Sequence, residues 1–181
     1  MKFYVKVVIL MVVLFGTVSL MSFNNKSSII DRVNETGLIV NDSTPSIKMY
    51  NAIMKWSAEY DIPVQYAFAL AYTESRYKGP AHVDYKSGLT SKSGALGPMQ
   101  IKLGTAKLFL EDGEKVTKKI LKNDIDFNVM MSMRIIRELK DTYGTWGKAF
   151  GAYNTGKPIV NKYAKNILSN KFVWISIENK I

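Results

Sequence analysis

The 181-residue chain contains no cysteine and a single histidine, His82. The first absence excludes disulfides, zinc-thiolate sites and thiol nucleophiles, and with them a lipid-modified N-terminal cysteine. The second excludes a multi-histidine metal site and leaves a Ser-His-Asp triad only His82 to run through. No G-x-S-x-G elbow accompanies it, so His82 reads as an ordinary loop residue. Acids are scarce beside bases: 15 Asp and Glu against 25 Lys and Arg, a net charge of +10. Such an excess favours polyanionic partners, whether nucleic acid, anionic lipid or an acidic cell wall, and selects none of them. Alternating strand patterns are also missing, except in KFVWISI at 171–177. The remaining composition, 47% hydrophobic and 12% aromatic, is that of a globular chain able to bury one core.

Residues 1–23 place Lys2 and Lys6 ahead of an uncharged apolar run over residues 7–21. That is the layout of a signal peptide or an uncleaved signal anchor, and it predicts an exported protein, periplasmic or in the cell envelope, with a membrane contact through residues 7–21 if the segment stays. Residues 24–46 are rich in Asn, Ser and Thr and read as a linker. The domain is expected over 47–170, with 171–181 as a C-terminal tail.

Helical periodicity dominates the domain. Helices are predicted over 47–60, from the Asp61 and Pro63 start to about Arg76, over 105–110, from an Asp124 cap through Leu139, from Trp146 toward Tyr153, and over 158–168. Met130, Met131 and Met133 read as core filler. Residues 77–98 hold six glycines or prolines and form a long loop or small lobe, which in a compact domain is usually functional. Deleting about eight residues between Lys78 and Thr90 is expected to spare the helical core, because closure entropy changes slowly with length. The basic stretch EKVTKKILK at 114–122 reads either as a wall-holding patch or as a solvated helix face.

One acid sits in the wrong place for a surface residue. At helical spacing Glu74 shares a face with Ala67, Leu70 and Ala71, so it points toward the core. Burial and the negative end of a helix both favour the protonated form, which is what a general acid needs near neutrality. The alternative is a surface ion pair with Arg76 or Lys78.

TESRY at 73–77, SKSGALGPMQI at 91–101 and AYNTG at 152–156 occur in this order with a helix between the last two. Together they resemble the signature of the soluble lytic transglycosylase catalytic domain of the lysozyme superfamily: a Glu-Ser pair ending a helix, a Ser-x-x-Gly-Ala-x-Gly-x-Met-Gln segment and an Ala-Tyr-Asn-x-Gly segment. The resemblance implies a mostly α, lysozyme-like domain with a glycan-binding cleft. It makes Glu74 the catalytic acid and base, and Tyr153 the residue that contacts it. Ser75, Ser91, Gly94, Gly97, Met99, Gln100 and Asn154 are then expected to bind substrate. No metal or cofactor is implied, and no nucleic-acid partner. Two departures stand out: Pro98 where leucine is usual, and a stretch between Glu74 and Ser91 about eight residues longer than in compact members.

The implied activity is cleavage of the bond between N-acetylmuramic acid and N-acetylglucosamine in peptidoglycan strands without water, giving 1,6-anhydro ends. Glycoside cleavage normally takes two carboxylates. One suffices here because the substrate's own 6-hydroxyl is the nucleophile. A goose-type lysozyme is the hydrolytic alternative, with Asp84 as the one candidate to hold a water. A non-catalytic wall-binding component of a secretion apparatus or phage particle is the alternative outside enzymes.

Overall fold

The structure, a computed structural model, describes residues 44–169. The expectations for residues 1–43 and 170–181, including the signal segment, most of the linker and the 171–177 strand, lie outside the described residues. Within them, seven helices occur and no extended strand. Helix α1, Pro45–Glu59, starts with proline in its first turn, where the missing N–H costs nothing. The presumed linker therefore ends two residues early, and Ser46 is already buried. Asp61, at φ 49°, turns the chain, and α2, Val64–Ser75, follows Pro63. Its central run Ala67–Ala71 is buried on every side, as expected of a helix apolar all round.

Helices α3, Leu103–Leu108, and α4, Lys118–Asn123, are short. Sequence periodicity placed α3 two residues late. The basic stretch becomes α4, capped by Thr117 accepting from the Ile120 N–H, with Leu121 fully buried and Lys118, Lys119 and Lys122 exposed. The longest helix, α5, Ile125–Tyr143, begins at the predicted Asp124 cap, whose carboxylate accepts from the Phe127 N–H at 3.0 Å, and stops at Gly144 in the left-handed region. Met130, Met131 and Met133 are all buried. Helix α6, Trp146–Thr155, precedes α7, Lys162–Leu168. The last helix begins four residues after Pro158. Residues 157–161 instead pass backbone to backbone over α6, where a Cβ on Gly151 would lie 1.8 Å from the Ile159 carbonyl oxygen.

Helix α5 is the axis of the domain. Helices α1, α4 and α6 pack on it, α7 packs on α6, and α2 lies against both α1 and α7. The last of these contacts brings the C-terminal end of α2 beside a helix nearly ninety residues away in sequence.

The long segment between α2 and α3 is not a detachable loop. Tyr77 is fully buried and donates to the Ser46 carbonyl at 2.7 Å. Tyr85, also buried, meets the Tyr77 ring edge-on at 5.0 Å. The expectation that about eight residues between Lys78 and Thr90 can be deleted without harm to the core fails, because Tyr85, which lies within that stretch, belongs to the core. Its second half is held by Asn128 of α5. That buried amide accepts from the Met99 N–H at 2.8 Å and donates to the carbonyls of Leu121 at 2.8 Å and Leu96 at 3.1 Å.

Candidate active site

Helix α2 ends one residue beyond Glu74, and Arg76, left-handed at φ 59°, turns the chain away. Ala67, Leu70 and Ala71 on the same face are buried, so Glu74 projects inward as its spacing predicts. It does not reach protein core. It lies on a cleft of about 590 Å³ bounded by the end of α2, the 91–102 segment, α3, the middle of α5 and the end of α6. Glu74 is the only carboxylate among the residues lining that cleft, and Lys102 the only basic one.

Burial pushes the Glu74 carboxyl up from its ordinary value near 4.5 to about 7. The opposing influence is one hydrogen bond: the Tyr163 hydroxyl of α7 donates to Oε1. Among the described residues Oε2 accepts no hydrogen bond. The surface ion pair is not formed; Arg76 lies over the Tyr72 ring instead, at 5.2 Å.

The tyrosine contacting Glu74 is therefore Tyr163, not Tyr153. The Tyr153 hydroxyl donates to the Met99 carbonyl at 2.7 Å, which leaves its oxygen to accept from Ser132 at 3.0 Å. Burial raises its pKa, and the nearby Glu74 charge opposes its ionisation further. Its hydrogen bonds tie the cleft wall to α5 and α6. Tyr163 was invisible in the sequence because its partner is 89 residues away and its own helix shows only an ordinary apolar stripe.

The remaining expected site residues divide. Ser91, Gln100 and Asn154 line the cleft together with Glu74 and Tyr153. Ser91 Oγ accepts from the Ala95 N–H at 2.9 Å, and Gln100, at φ 52°, donates to the Gly97 carbonyl at 2.8 Å. Ser75, Gly94, Gly97 and Met99 are not among the lining residues. Ser75 donates to the Ala71 carbonyl at 3.0 Å and accepts from Tyr85 at 2.8 Å, fastening the long loop to the helix that carries Glu74. Gly94, at φ 81°, makes a turn. Gly97 permits close packing, since a Cβ there would lie 2.2 Å from the Leu121 carbonyl oxygen. Met99 is fully buried and contributes its backbone to Asn128 and Tyr153.

Comparison with known families and structures bears on this arrangement. The profile of the transglycosylase SLT domain matches residues 51–172. The chain belongs to that family. Comparison with curated protein sequences finds no match. Among solved structures, lytic transglycosylase Slt of Pseudomonas aeruginosa, an inactive mutant with glutamine in place of a glutamate, is similar at a TM-score of 0.51 and 18% identity, over 66% of this chain and 22% of that one. The 70-kDa soluble lytic transglycosylase of Escherichia coli gives 0.49 and 23%, over 66% and 19% of the two chains. A complex of the 70-kDa soluble lytic transglycosylase with bulgecin A gives 0.48 and 25%, with the same coverage. The chain thus spans about a fifth of the length of these structures. The likeness to Slt, at 18% identity, shows that the helical domain shares that protein's fold. Within this SLT domain, the three motifs that carry the family resemblance converge on one cleft, the first two through part of their residues and the third, 152–156, through all five.

Proposed function

We propose that the protein is a peptidoglycan lytic transglycosylase that cleaves the β-1,4 bond between N-acetylmuramic acid and N-acetylglucosamine without water. The observation that carries this reading is the lone cleft carboxylate, half-buried and raised to about 7, in a member of the SLT domain family. Near neutrality a large share of Glu74 holds its proton. Tyr163 holds Oε1, so Oε2 is the oxygen directed at substrate. The Glu74 proton passes to the bridging oxygen as the bond to the anomeric carbon breaks, and the leaving sugar departs as an alcohol. Glu74, now a carboxylate, takes the proton of the muramic acid 6-hydroxyl. That oxygen closes on the anomeric carbon to form the 1,6-anhydro ring. Atoms balance without water, and Glu74 ends protonated. Ser91, Gln100 and Asn154 present polar groups to the sugar strand.

The hydrolytic alternative requires a second group to hold a water. Asp84 is 92% exposed, faces His82 at 3.4 Å and is not among the cleft-lining residues. No observation favours that reading. Export to the periplasm or envelope, through a signal peptide or an anchor over residues 7–21, is part of the proposal and is supported by the charge and apolar pattern of that segment. Among the described residues no helix is long and apolar enough to cross a membrane.

Digestion of purified peptidoglycan followed by mass spectrometry of the muropeptides tests the assignment. Anhydro ends are expected from the wild type, and none from Glu74→Gln. Reducing ends from the wild type, or lysis by the variant, overturn it.

A further inference from the structure

A second groove, larger than the cleft at about 960 Å³, shares no lining residue with it. It runs between α1, α4, the start of α5 and Ser87 of the long loop. Of its apolar lining residues Pro45 is exposed and Ile120 half-buried, whereas Ala52 and Ile125 are buried. The polar lining residues Lys48, Asn51, Ser87, Lys119 and Asn123 come from three segments separated in sequence. Among the described residues, none of these five side chains forms a hydrogen bond or ion pair, and Lys48, Asn51, Lys119 and Asn123 are exposed. The acids of the groove are already engaged. Asp124 caps α5, and Asp126 accepts from the Trp56 indole at 2.9 Å and faces Lys55 at 3.6 Å. What remains is two uncommitted ammonium groups flanked by two amides and a hydroxyl beside an apolar patch.

That combination suits a saccharide bearing anionic substituents. Amides and a hydroxyl exchange hydrogen bonds with sugar hydroxyls and acetamido groups, apolar side chains meet the sugar's C–H face, and free ammonium groups attract carboxylates. The chain from Ser87 in the groove to Ser91 in the cleft covers at most about 14 Å, so a strand of a few sugars spans the distance between the two sites.

We propose that this groove is a second carbohydrate site that takes glycan whose peptide stems carry free carboxylates, away from the bond being cut; the proposal rests on the lytic transglycosylase reading. The site raises the occupancy of polymeric wall on the enzyme and takes no part in bond cleavage.

The test uses the full chain and the double variant Lys48→Glu/Lys119→Glu on three substrates: stem-bearing peptidoglycan, the same peptidoglycan with its carboxylates converted to amides by carbodiimide and ammonia, and a short soluble glycan fragment. The half-saturating concentration on stem-bearing wall is expected to rise about three- to tenfold, the scale of two exposed charge contacts, with kcat unchanged. No change is expected on amidated peptidoglycan or on the short fragment. Lys48→Gln/Lys119→Gln, which only removes the charges, is expected to show a smaller shift in the same sense. An unaltered value on stem-bearing wall, a rise that persists on amidated peptidoglycan, or an equal rise on the fragment overturns the proposal. If the wild type cuts none of the three substrates the catalytic reading fails instead, and co-sedimentation of wild type and variant with stem-bearing and amidated wall still decides the groove.

Discussion

Replacing Glu74 by glutamine is expected to make the protein more stable at alkaline pH while stopping its chemistry. Glutamine keeps the size of the side chain and an oxygen for the Tyr163 hydroxyl, and removes only the ionisation. In the wild type the carboxyl titrates near 4.5 when unfolded and near 7 when folded. Below pH 4.5 both states are neutral and nothing is lost. Between 4.5 and 7 the unfolded chain ionises while the folded one keeps its proton, so stability falls as pH rises, and the loss is complete above 7. At about 1.4 kcal/mol per unit, the full difference is about 3 kcal/mol, an upper figure because the carboxyl faces an open cleft. Against glutamine, the wild type should therefore be level at pH 4 and less stable by up to about 3 kcal/mol at pH 8, on the order of 10 °C in Tm for a domain of this size. Urea unfolding of both proteins at several pH values gives the quantity directly, since taking the difference cancels titrations common to both. A difference that stays constant from pH 4 to pH 8 refutes the claim that burial raises Glu74, and with it the basis for a general acid at neutrality.

Tyr163→Phe removes the hydrogen bond that lowers the Glu74 pKa, so the alkaline limb of the lytic rate profile should move to higher pH. Turnover should fall by the equivalent of about 1–3 kcal/mol, read from initial rates across pH. Tyr153→Phe should leave that limb nearly in place and instead cost about 1 kcal/mol of stability in chemical denaturation, because its hydroxyl serves Met99 and Ser132. Asn128→Ala should cost about 3 kcal/mol or more by the same assay, since it strands the Met99 N–H and weakens the satisfaction of the Leu96 and Leu121 carbonyls. Tyr85→Ala should destabilise by about 3 kcal/mol, whereas a dispensable loop would show no change.

Helix positions and the acid itself were legible in the sequence because both are local properties. The 3.6-residue spacing of Ala67, Leu70, Ala71 and Glu74 requires that the carboxylate face inward wherever α2 packs. The Asp124 cap depends on a few neighbouring backbone groups, so the start of α5 was placed to the residue, whereas its end at Tyr143, before Gly144, lies four residues beyond the expected Leu139. Where a boundary depended on packing, local pattern failed: α7 begins at Lys162 rather than Pro158 because residues 157–161 run against Gly151 of another helix.

The motifs likewise named Glu74, Ser91, Gln100 and Asn154, which the fold brings to one cleft. Their neighbours Ser75, Gly97 and Met99 sit in the same motifs for a different reason: they hold the loops that bound the cleft, through Tyr85, the close approach to Leu121, and Asn128. Spacing along the chain does not distinguish a residue that touches the cleft from one that shapes it. Which tyrosine meets Glu74 was decided by tertiary structure alone. Tyr153 and Tyr163 both lie on short helices near the C-terminal end of the domain, and only the packing of α7 on α2 gives the carboxyl to the second. The same holds for Asn128, whose three backbone partners lie on two segments up to 32 residues away. The sequence by itself determined where an acid would be buried; its proton affinity, its partner and the open space in front of it depend on helices that meet only when the chain has folded.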